Sequence, residues 1–487
     1  MEMLRAKGKQ IVDSKGKAIR LRGTCIGGWM NLENFINGYP GAETQLRETV
    51  MNELGSGNGN FFFERLLDYF FNEDDIRFIK ESGANLIRIP LNYRHFEDDA
   101  TPFVYKESGF KRLNRVIDWC EQYEIYVILD LHAVQGWQNS HWHCDNNRGV
   151  SLFWHNPHYQ ERFIALWKEL ACRYKEKAVI AGYNLMNEPC TNTSNGDYPF
   201  NYFLNYRPDF AVMNRVYRET VEAIRKIDNK HLIFLEGDKY SVLFSGLDAP
   251  FADNLVYSSH NYQPAGFGPG PYPGEFHSYS TDLEYQSGYW DRKRQSEFFK
   301  ECEGFQFTER HQVPLWVGEF GAQYYGSKEE IPDRLMAMDD QLGVFEEFGA
   351  HWTIWTYKDI GVMGWVTLDP ESEYMRMITG VQQKKHVLGA ENFVKYFQDD
   401  IVKNKISDLA ELLEKGIASY AINHTDNMII LSDLVLRNYA ATLLQPVYAK
   451  LFQGMSEERL DDVLSSFAFK KCKINQGLMN LLQKNLG

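Results

Sequence analysis

One repeated pattern constrains the fold of this chain more than any other feature. A short β-branched or apolar run ends in polar or aromatic residues, and a helical stretch follows it. The pattern predicts eight strands, at residues 18–27, 85–90, 126–132, 179–186, 231–236, 254–260, 313–318 and 351–356. Amphipathic segments predicted as helices separate them, at residues 74–81, 110–123, 159–174, 210–227 and 332–348. Eight strands with helices between them predict an α/β protein, a (β/α)₈ TIM barrel.

A doubly wound sheet is the alternative α/β architecture. It would carry a Gly-x-Gly-x-x-Gly turn after an early strand, and the sequence has none. Long connections at 30–71, 191–207 and 263–292 follow predicted strands, on the face where barrels build their sites. We therefore predict a barrel domain at 1–389 with long catalytic-face loops, and a C-terminal helical extension at 390–487 packed on the barrel.

Charge and hydropathy exclude several classes of partner. With 52 Lys and Arg against 66 Asp and Glu, the formal net charge is −14, which disfavours nucleic acid and anionic membrane surfaces. No run approaches a membrane span, and the first residues lack the apolar core of a signal peptide. The seven cysteines include no C-x-x-C pair, which suits a reducing compartment. We expect a cytoplasmic protein, or a secreted one if a leader was removed; its oligomeric state stays open.

Two glutamates stand out at the ends of the predicted strands, where a barrel exposes its catalytic residues. Glu188 ends strand 4 in Met-Asn-Glu-Pro, and Glu319 ends strand 7 in Gly-Glu-Phe-Gly, nearly opposite in barrel order. Glycosidic-bond cleavage needs such a pair, since one carboxylic acid protonates the leaving oxygen while the other carboxylate attacks or activates water. Arg88 would keep a nearby carboxylate ionised, and Trp355 offers a face for a sugar ring. This chemistry requires no metal ion and no cofactor.

A family resemblance extends this interpretation over about residues 19–364. Eight strand-end residues carry it, in this order along the chain: Arg88, His132, Asn187, Glu188, His260, Tyr262, Glu319 and Trp355. The set resembles that of glycoside hydrolase family 5, a family of retaining (β/α)₈ enzymes. The resemblance implies that Glu188 is the acid/base and Glu319 the nucleophile. It also implies substrate-binding or positioning roles for Arg88 and Tyr262 beside the nucleophile, His260 beside the acid/base, Asn187 at the sugar 2-hydroxyl, and His132 and Trp355 in subsite −1.

Within that family, the opening Gly27-Gly28-Trp29 followed by Glu33 is similar to the exo-β-glucanase branch. In that branch the glutamate helps to hold the non-reducing-end sugar, and an aspartate of the strand 3 loop closes the pocket. The resemblance therefore implies that Glu33, Asp145 and Asn139 bind substrate. The chain departs from the branch at Thr24-Cys25, at a longer strand 3 loop, and at Gly-Glu-Phe where Gly-Glu-Trp is common.

The function predicted is a retaining β-glycoside hydrolase that is exo-acting on short β-glucosides or oligosaccharides. Two enzyme alternatives stay open, an endo-β-glucanase of the cellulase type with an open groove, and a diglycosidase. Outside enzymes, the alternative is a catalytically silent carbohydrate-binding barrel, which would lack one of the two carboxylates. Sugar identity and linkage do not follow from the sequence.

Overall fold

A computed structural model describes residues 1–192, 206–267, 271–279, 285–324, 330–390, 400–417 and 424–486. Eight parallel strands close into a barrel, in which each strand pairs with the next along the chain and β8 pairs with β1. The strands, labelled β1 to β8, are Arg22–Cys25, Leu86–Asn92, Tyr126–Ala133, Ile180–Asn184, Leu232–Glu236, Leu255–His260, Leu315–Glu319 and His351–Ile354. The predicted (β/α)₈ barrel is confirmed.

The first strand is shorter than the run 18–27 from which it was predicted. Ala18 forms a bridge with Val12, and the amide of Ile19 donates to the carbonyl of Ile11. These pairings attach the start of the run to an N-terminal hairpin of Arg5–Lys7 and Gln10–Val12. The remaining residues of the run, from Arg22 onward, enter the barrel.

Helices cover the outside of the barrel and continue into the C-terminal region. They are labelled α1 to α17 in chain order: Asn34–Asn37, Glu43–Phe70, Glu73–Glu81, Glu107–Gln122, Pro157–Tyr174, Phe210–Arg225, Asp238–Ser241, Pro264–Phe267, Arg292–Glu301, Glu303–His311, Ile331–Phe348, Glu373–Val387, Asp400–Gly416, His424–Leu431, Ala441–Ala449, Glu457–Leu464 and Gln476–Leu486. The five segments predicted as helices correspond to α3, α4, α5, α6 and α11. Local sequence explains their starts, as at α3, where Asn72 and Asp75 form a reciprocal capping box.

The long catalytic-face loops are only partly described. Most of the predicted loop 191–207, and residues 268–270 and 280–284 of the loop 263–292, lie outside the described residues. The described part of the second loop contains α8 and the antiparallel strands Gly274–Tyr279 and Tyr285–Trp290. The first loop, 30–71, forms α1 and α2.

The C-terminal helices share one apolar core with the barrel. In α2, Phe62 packs on Phe452, with ring centroids 4.9 Å apart, and Phe70 packs on Phe467 at 5.8 Å. The buried ammonium of Lys358, just after β8, donates to the carbonyls of Phe70 and Phe467. A three-stranded sheet of Lys358–Asp359, Val366–Leu368 and Cys472–Ile474 adds a second connection. The division of the chain at residue 389 stays a prediction.

Among the described helices, none is both long enough and apolar enough to cross a membrane.

Candidate active site

The carboxylate of Glu319 lies at the C-terminal end of β7, where it is 4% exposed. The Arg88 guanidinium, from β2, donates to Oε1, and the Tyr262 hydroxyl donates to Oε2 over 3.0 Å. Burial alone would raise the pKa of Glu319, but His260, Arg88 and His132 outweigh it and lower this pKa below its ordinary value. Glu319 is therefore held as a carboxylate with its oxygens fixed by two donors.

Glu188 follows β4 on the opposite side of the barrel. Its carboxyl oxygens lie 2.7 Å from His260 Nδ1 and 3.2 Å from His143 Nε2. The backbone at Glu188 has a φ of 45°, an uncommon conformation for a residue with a side chain, and its amide donates to Glu236 over 2.7 Å. Burial raises the pKa of Glu188 and the carboxylates of Glu319 and Glu236 add to this, against the opposing effect of His260.

The two carboxylates lie close together and are shifted in opposite directions. One oxygen of Glu188, one oxygen of Glu319 and a ring nitrogen of His260 all lie within 4.8 Å of one another. Such a separation suits direct attack by one carboxylate on the sugar and leaves no room for the water of an inverting enzyme. A raised pKa on one carboxyl group and a lowered pKa on its neighbour separate an acid from a nucleophile.

Arg88 connects the strand ends below these carboxylates. It is fully buried, and besides Glu319 it contacts the side chains of Asp130 at 3.1 Å, Asn184 at 3.0 Å, Asn187 at 2.7 Å and Glu236 at 3.3 Å. A buried guanidinium is tolerated only when several partners satisfy it. Arg88 thus fixes the positions of residues from β2, β3, β4, β5 and β7 relative to one another.

Three predicted ligands of subsite −1 form one group beside Glu319. The His132 and Trp355 rings stack with centroids 5.3 Å apart and 8° between their planes, and the Glu33 carboxylate lies 3.3 Å from His132 Nε2. Burial opposes a charge on His132, but Asp130 and Glu33 outweigh it and raise its pKa to about 10. Burial raises the pKa of Glu33 to about 7, against the effect of His132. The group therefore combines stacked aromatic rings with an ionisable pair in a buried position.

The strand 3 loop places its two predicted ligands differently. The side-chain amide of Asn139 donates to the backbone carbonyl of Glu188 over 2.9 Å, so it stabilises the loop that carries the acid/base. The Asp145 carboxylate instead accepts from the Thr44 amide over 2.7 Å and from Asn92 over 3.0 Å. These contacts attach the loop to the start of α2, and they do not bring Asp145 to Glu188 or Glu319. Its role as a substrate ligand stays a prediction.

Three residues of the site were not assigned a role from the sequence. Glu236 is the last residue of β5, and its hydrogen bond with the Glu188 amide depends on how β4 and β5 end side by side. His143 lies in a single 3₁₀ turn, Trp142–Cys144, which is too short for a periodic pattern to indicate that its ring reaches Glu188. For Asp130 a signal existed, since it precedes His132 by two residues on β3 and so shares its face.

Within the described residues, Glu188, His260 and Glu319 are the group with the geometry to hold a metal ion. Although burial lowers the pKa of His260, Glu319 and Glu236 raise it to about 10. The His260 ring lies between the two carboxylates, with Nδ1 2.7 Å from Glu188 and 3.7 Å from Glu319.

The geometry agrees with the comparison to protein families. The family model described as Cellulase (glycosyl hydrolase family 5) matches residues 60–361, which include every strand-end residue of the site but not Glu33, which precedes α1. The chain belongs to glycosyl hydrolase family 5. It is an O-glycosyl hydrolase of the retaining, double-displacement type.

Curated relatives of this family 5 chain carry several glycosidase names. A β-xylosidase of Phanerodontia chrysosporium is 34% identical over 508 residues, which cover 100% of this chain and 98% of the relative. Endoglucanase C of Acetivibrio thermocellus is 26% identical over a match that covers 61% of this chain and 87% of the endoglucanase. A probable glucan 1,3-β-glucosidase A of Emericella nidulans is 24% identical over a match that covers 72% of this chain and 87% of that protein.

The opposed pKa shifts predict how activity depends on pH and on the leaving group. Activity should fall in acid as Glu319, whose pKa is lowered, becomes protonated, and should fall in alkali as Glu188, whose pKa is raised, loses its proton. Profiles of kcat/KM should therefore be bell-shaped for an oligosaccharide. A dinitrophenyl glycoside needs no proton on its leaving group, so its alkaline fall should be much weaker while its acid fall is unchanged. Identical alkaline falls for both substrates would contradict the assignment of the acid.

Proposed function

We propose that this family 5 enzyme is an exo-acting β-glycosidase that removes the terminal sugar from short β-glucosides or β-linked oligosaccharides. The observation that carries the proposal is the position of Glu33. Its carboxylate is 2% exposed and lies 3.3 Å from His132 in the predicted subsite −1, and the charges of Glu319 and Glu188 add to the effect of burial in raising the pKa of Glu33. A buried carboxylate there suits recognition of the hydroxyls of a chain end and blocks a longer chain.

In the proposed reaction the carboxylate of Glu319 attacks the anomeric carbon while Glu188 gives its proton to the departing glycosidic oxygen. The glycosyl–enzyme ester is then hydrolysed by a water molecule whose proton passes to Glu188. Arg88 and Tyr262 hold the attacking carboxylate in position. Asn187, whose Oδ1 accepts from Arg88, binds the sugar 2-hydroxyl in this proposal.

A second candidate specificity is the release of xylose. The full-length relative from Phanerodontia chrysosporium carries the name β-xylosidase, and it matches this chain from end to end, including the C-terminal helices. Glucosides and xylosides differ in the sugar's exocyclic hydroxymethyl group. Rates of hydrolysis of p-nitrophenyl β-glucoside and β-xyloside under the same conditions distinguish the two.

Replacing Glu33 tests the exo-acting pocket. Hydrogen bonds between a carboxylate and sugar hydroxyls are worth about 1.5–3 kcal/mol, so Glu33→Ala should lower kcat/KM by roughly tenfold to a hundredfold. Glu33→Gln, which keeps the shape and one acceptor, should lose less. The measurement is kcat/KM of the wild-type enzyme and of both variants, on the aryl glycoside that the wild-type enzyme hydrolyses fastest.

Product analysis tests the same pocket without a mutation. With a pentasaccharide labelled at its reducing end, the first labelled product should be the tetrasaccharide, because one sugar leaves from the non-reducing end. A labelled disaccharide or trisaccharide as the first product would support an endo-β-glucanase or a diglycosidase instead. Wild-type kcat/KM in Glu33→Ala would equally argue against the pocket.

A further inference from the structure

The backbone that follows Glu33 is held by side chains from the C-terminal helices. The chain from residue 34 to residue 42, here called segment 34–42, contains α1 and the turn before α2. Six of its backbone carbonyls accept hydrogen bonds from four side chains of α12 and α15. The donors are Lys385 to Asn34 (3.2 Å) and Tyr39 (3.1 Å), Tyr374 to Asn37 (2.6 Å), Gln382 to Gly38, and Gln445 to Pro40 (2.9 Å) and Ala42 (3.0 Å).

These contacts are buried, so they constrain the segment strongly. Lys385 and Tyr374 are fully buried, and Gln445 is 1% exposed. Burying an ammonium or an amide costs free energy unless hydrogen bonds satisfy it, so the carbonyls of segment 34–42 stabilise Lys385 and Gln445 in their buried positions. The converse also holds, since the carbonyls of an irregular segment need partners away from water.

Two hydrogen bonds through Asn37 connect these contacts to Glu33. The carbonyl of Asn37 accepts from Tyr374, while the Asn37 side chain accepts from the amide of Glu33 over 3.1 Å and donates to the carbonyl of Gly28 over 2.9 Å. Glu33 itself precedes α1 and makes no side-chain capping bond there. Its carboxylate instead lies against His132 in the site.

We infer that α12 and α15 position the sugar-binding pocket of this enzyme, by holding segment 34–42 so that Glu33 stays against His132. This inference rests on the proposed function in one respect, since it takes Glu33 to be a substrate ligand. Lys385, Tyr374, Gln382 and Gln445 are then positioning residues that act through Glu33. The C-terminal helices become part of the recognition of the terminal sugar and not only a cover on the barrel.

A double-mutant cycle in the full-length enzyme separates this role from a structural one. Lys385→Met removes the donor and keeps the length of the side chain, and it is made in the wild-type and in the Glu33→Ala background. Tyr374→Phe removes a single hydroxyl and supplies a second test if the lysine variant folds poorly. Tyr69→Phe is the matched control, because the Tyr69 hydroxyl joins α2 to Asp461 of α16 without contacting segment 34–42.

Residues coupled through a shared backbone segment give non-additive effects, so Lys385→Met should lower kcat/KM about fivefold to twentyfold in the wild-type background, mainly through KM, and less than about twofold in Glu33→Ala. Tyr374→Phe should follow the same pattern with about a twofold to fourfold loss, and the control should keep wild-type kcat/KM. Equal losses in both backgrounds, or a change in melting temperature alone, would overturn the inference. Wild-type kcat/KM in Glu33→Ala would instead count against the proposed pocket itself.

Discussion

Glu319→Gln should abolish turnover, with a loss in kcat of roughly 10⁴-fold or more, because an amide cannot form the glycosyl ester that the double displacement requires. The structure gives this carboxylate two fixed donors, Arg88 and Tyr262, and a lowered pKa, which together prepare it for attack. The glutamine side chain has almost the same shape, so the fold should be retained. The measurement is kcat on an oligosaccharide and on an aryl glycoside, with the melting temperature as the check on folding.

A matched variant shows whether the loss belongs to the site. Glu97→Gln changes an equally buried glutamate whose carboxylate contacts Arg162 and the side chain of Gln135. Its kcat should stay within a few-fold of the wild-type value, because it touches no group of the active site described here. Substantial turnover in Glu319→Gln would remove Glu319 from the role of nucleophile.

Glu188→Ala should show a loss that depends on the leaving group. On oligosaccharides, whose leaving group needs a proton, kcat/KM should fall by about 10²- to 10⁴-fold, the range of general acid catalysis. On a dinitrophenyl glycoside, whose leaving group departs as a stable anion, kcat/KM should fall less than about tenfold. The raised pKa of Glu188 keeps its proton available, which is why we assign the role of general acid to this residue.

An added anion distinguishes the role of Glu188 as the acid of the first step from its role as the base of the second step. Without Glu188 no base activates water in the second step, so azide, which needs no deprotonation, should restore kcat on the dinitrophenyl glycoside and form a glycosyl azide. The variant His143→Ala serves for comparison, since it removes a contact of Glu188 and keeps the carboxyl group. Equal losses of the Glu188 variant on both substrates would contradict its role as the acid.

Much of this arrangement could be predicted because a barrel brings its strand ends together. Residues as distant in the chain as Arg88 and Glu319 contact each other because β2 and β7 end on the same face. The spacing of apolar runs is a local property, so it also predicted the helices between strands. Family resemblance, rather than spacing, supplied the individual roles of the polar residues.

The positions of the loop residues could not be predicted in the same way. Asp145, for which the resemblance implies a role in substrate binding, accepts a hydrogen bond from the Thr44 amide near the start of α2, a contact that no local pattern in the strand 3 loop indicates. His143 reaches Glu188 through a turn without a repeating pattern. The contacts of Lys385 with segment 34–42 join residues about 350 positions apart, and no local signal in either part indicates the other.

The most direct test of the account is to identify the residue that carries the sugar in the covalent intermediate. A 2-deoxy-2-fluoro β-glycoside with a dinitrophenyl leaving group, matched to the sugar released fastest, slows the second step so that the glycosyl–enzyme accumulates. Peptide mapping by mass spectrometry should then find the fluorosugar on the peptide containing Gly318-Glu319-Phe320, esterified to Glu319. A label on Glu188 or on Glu33, or rapid turnover with inversion at the anomeric carbon, would contradict it.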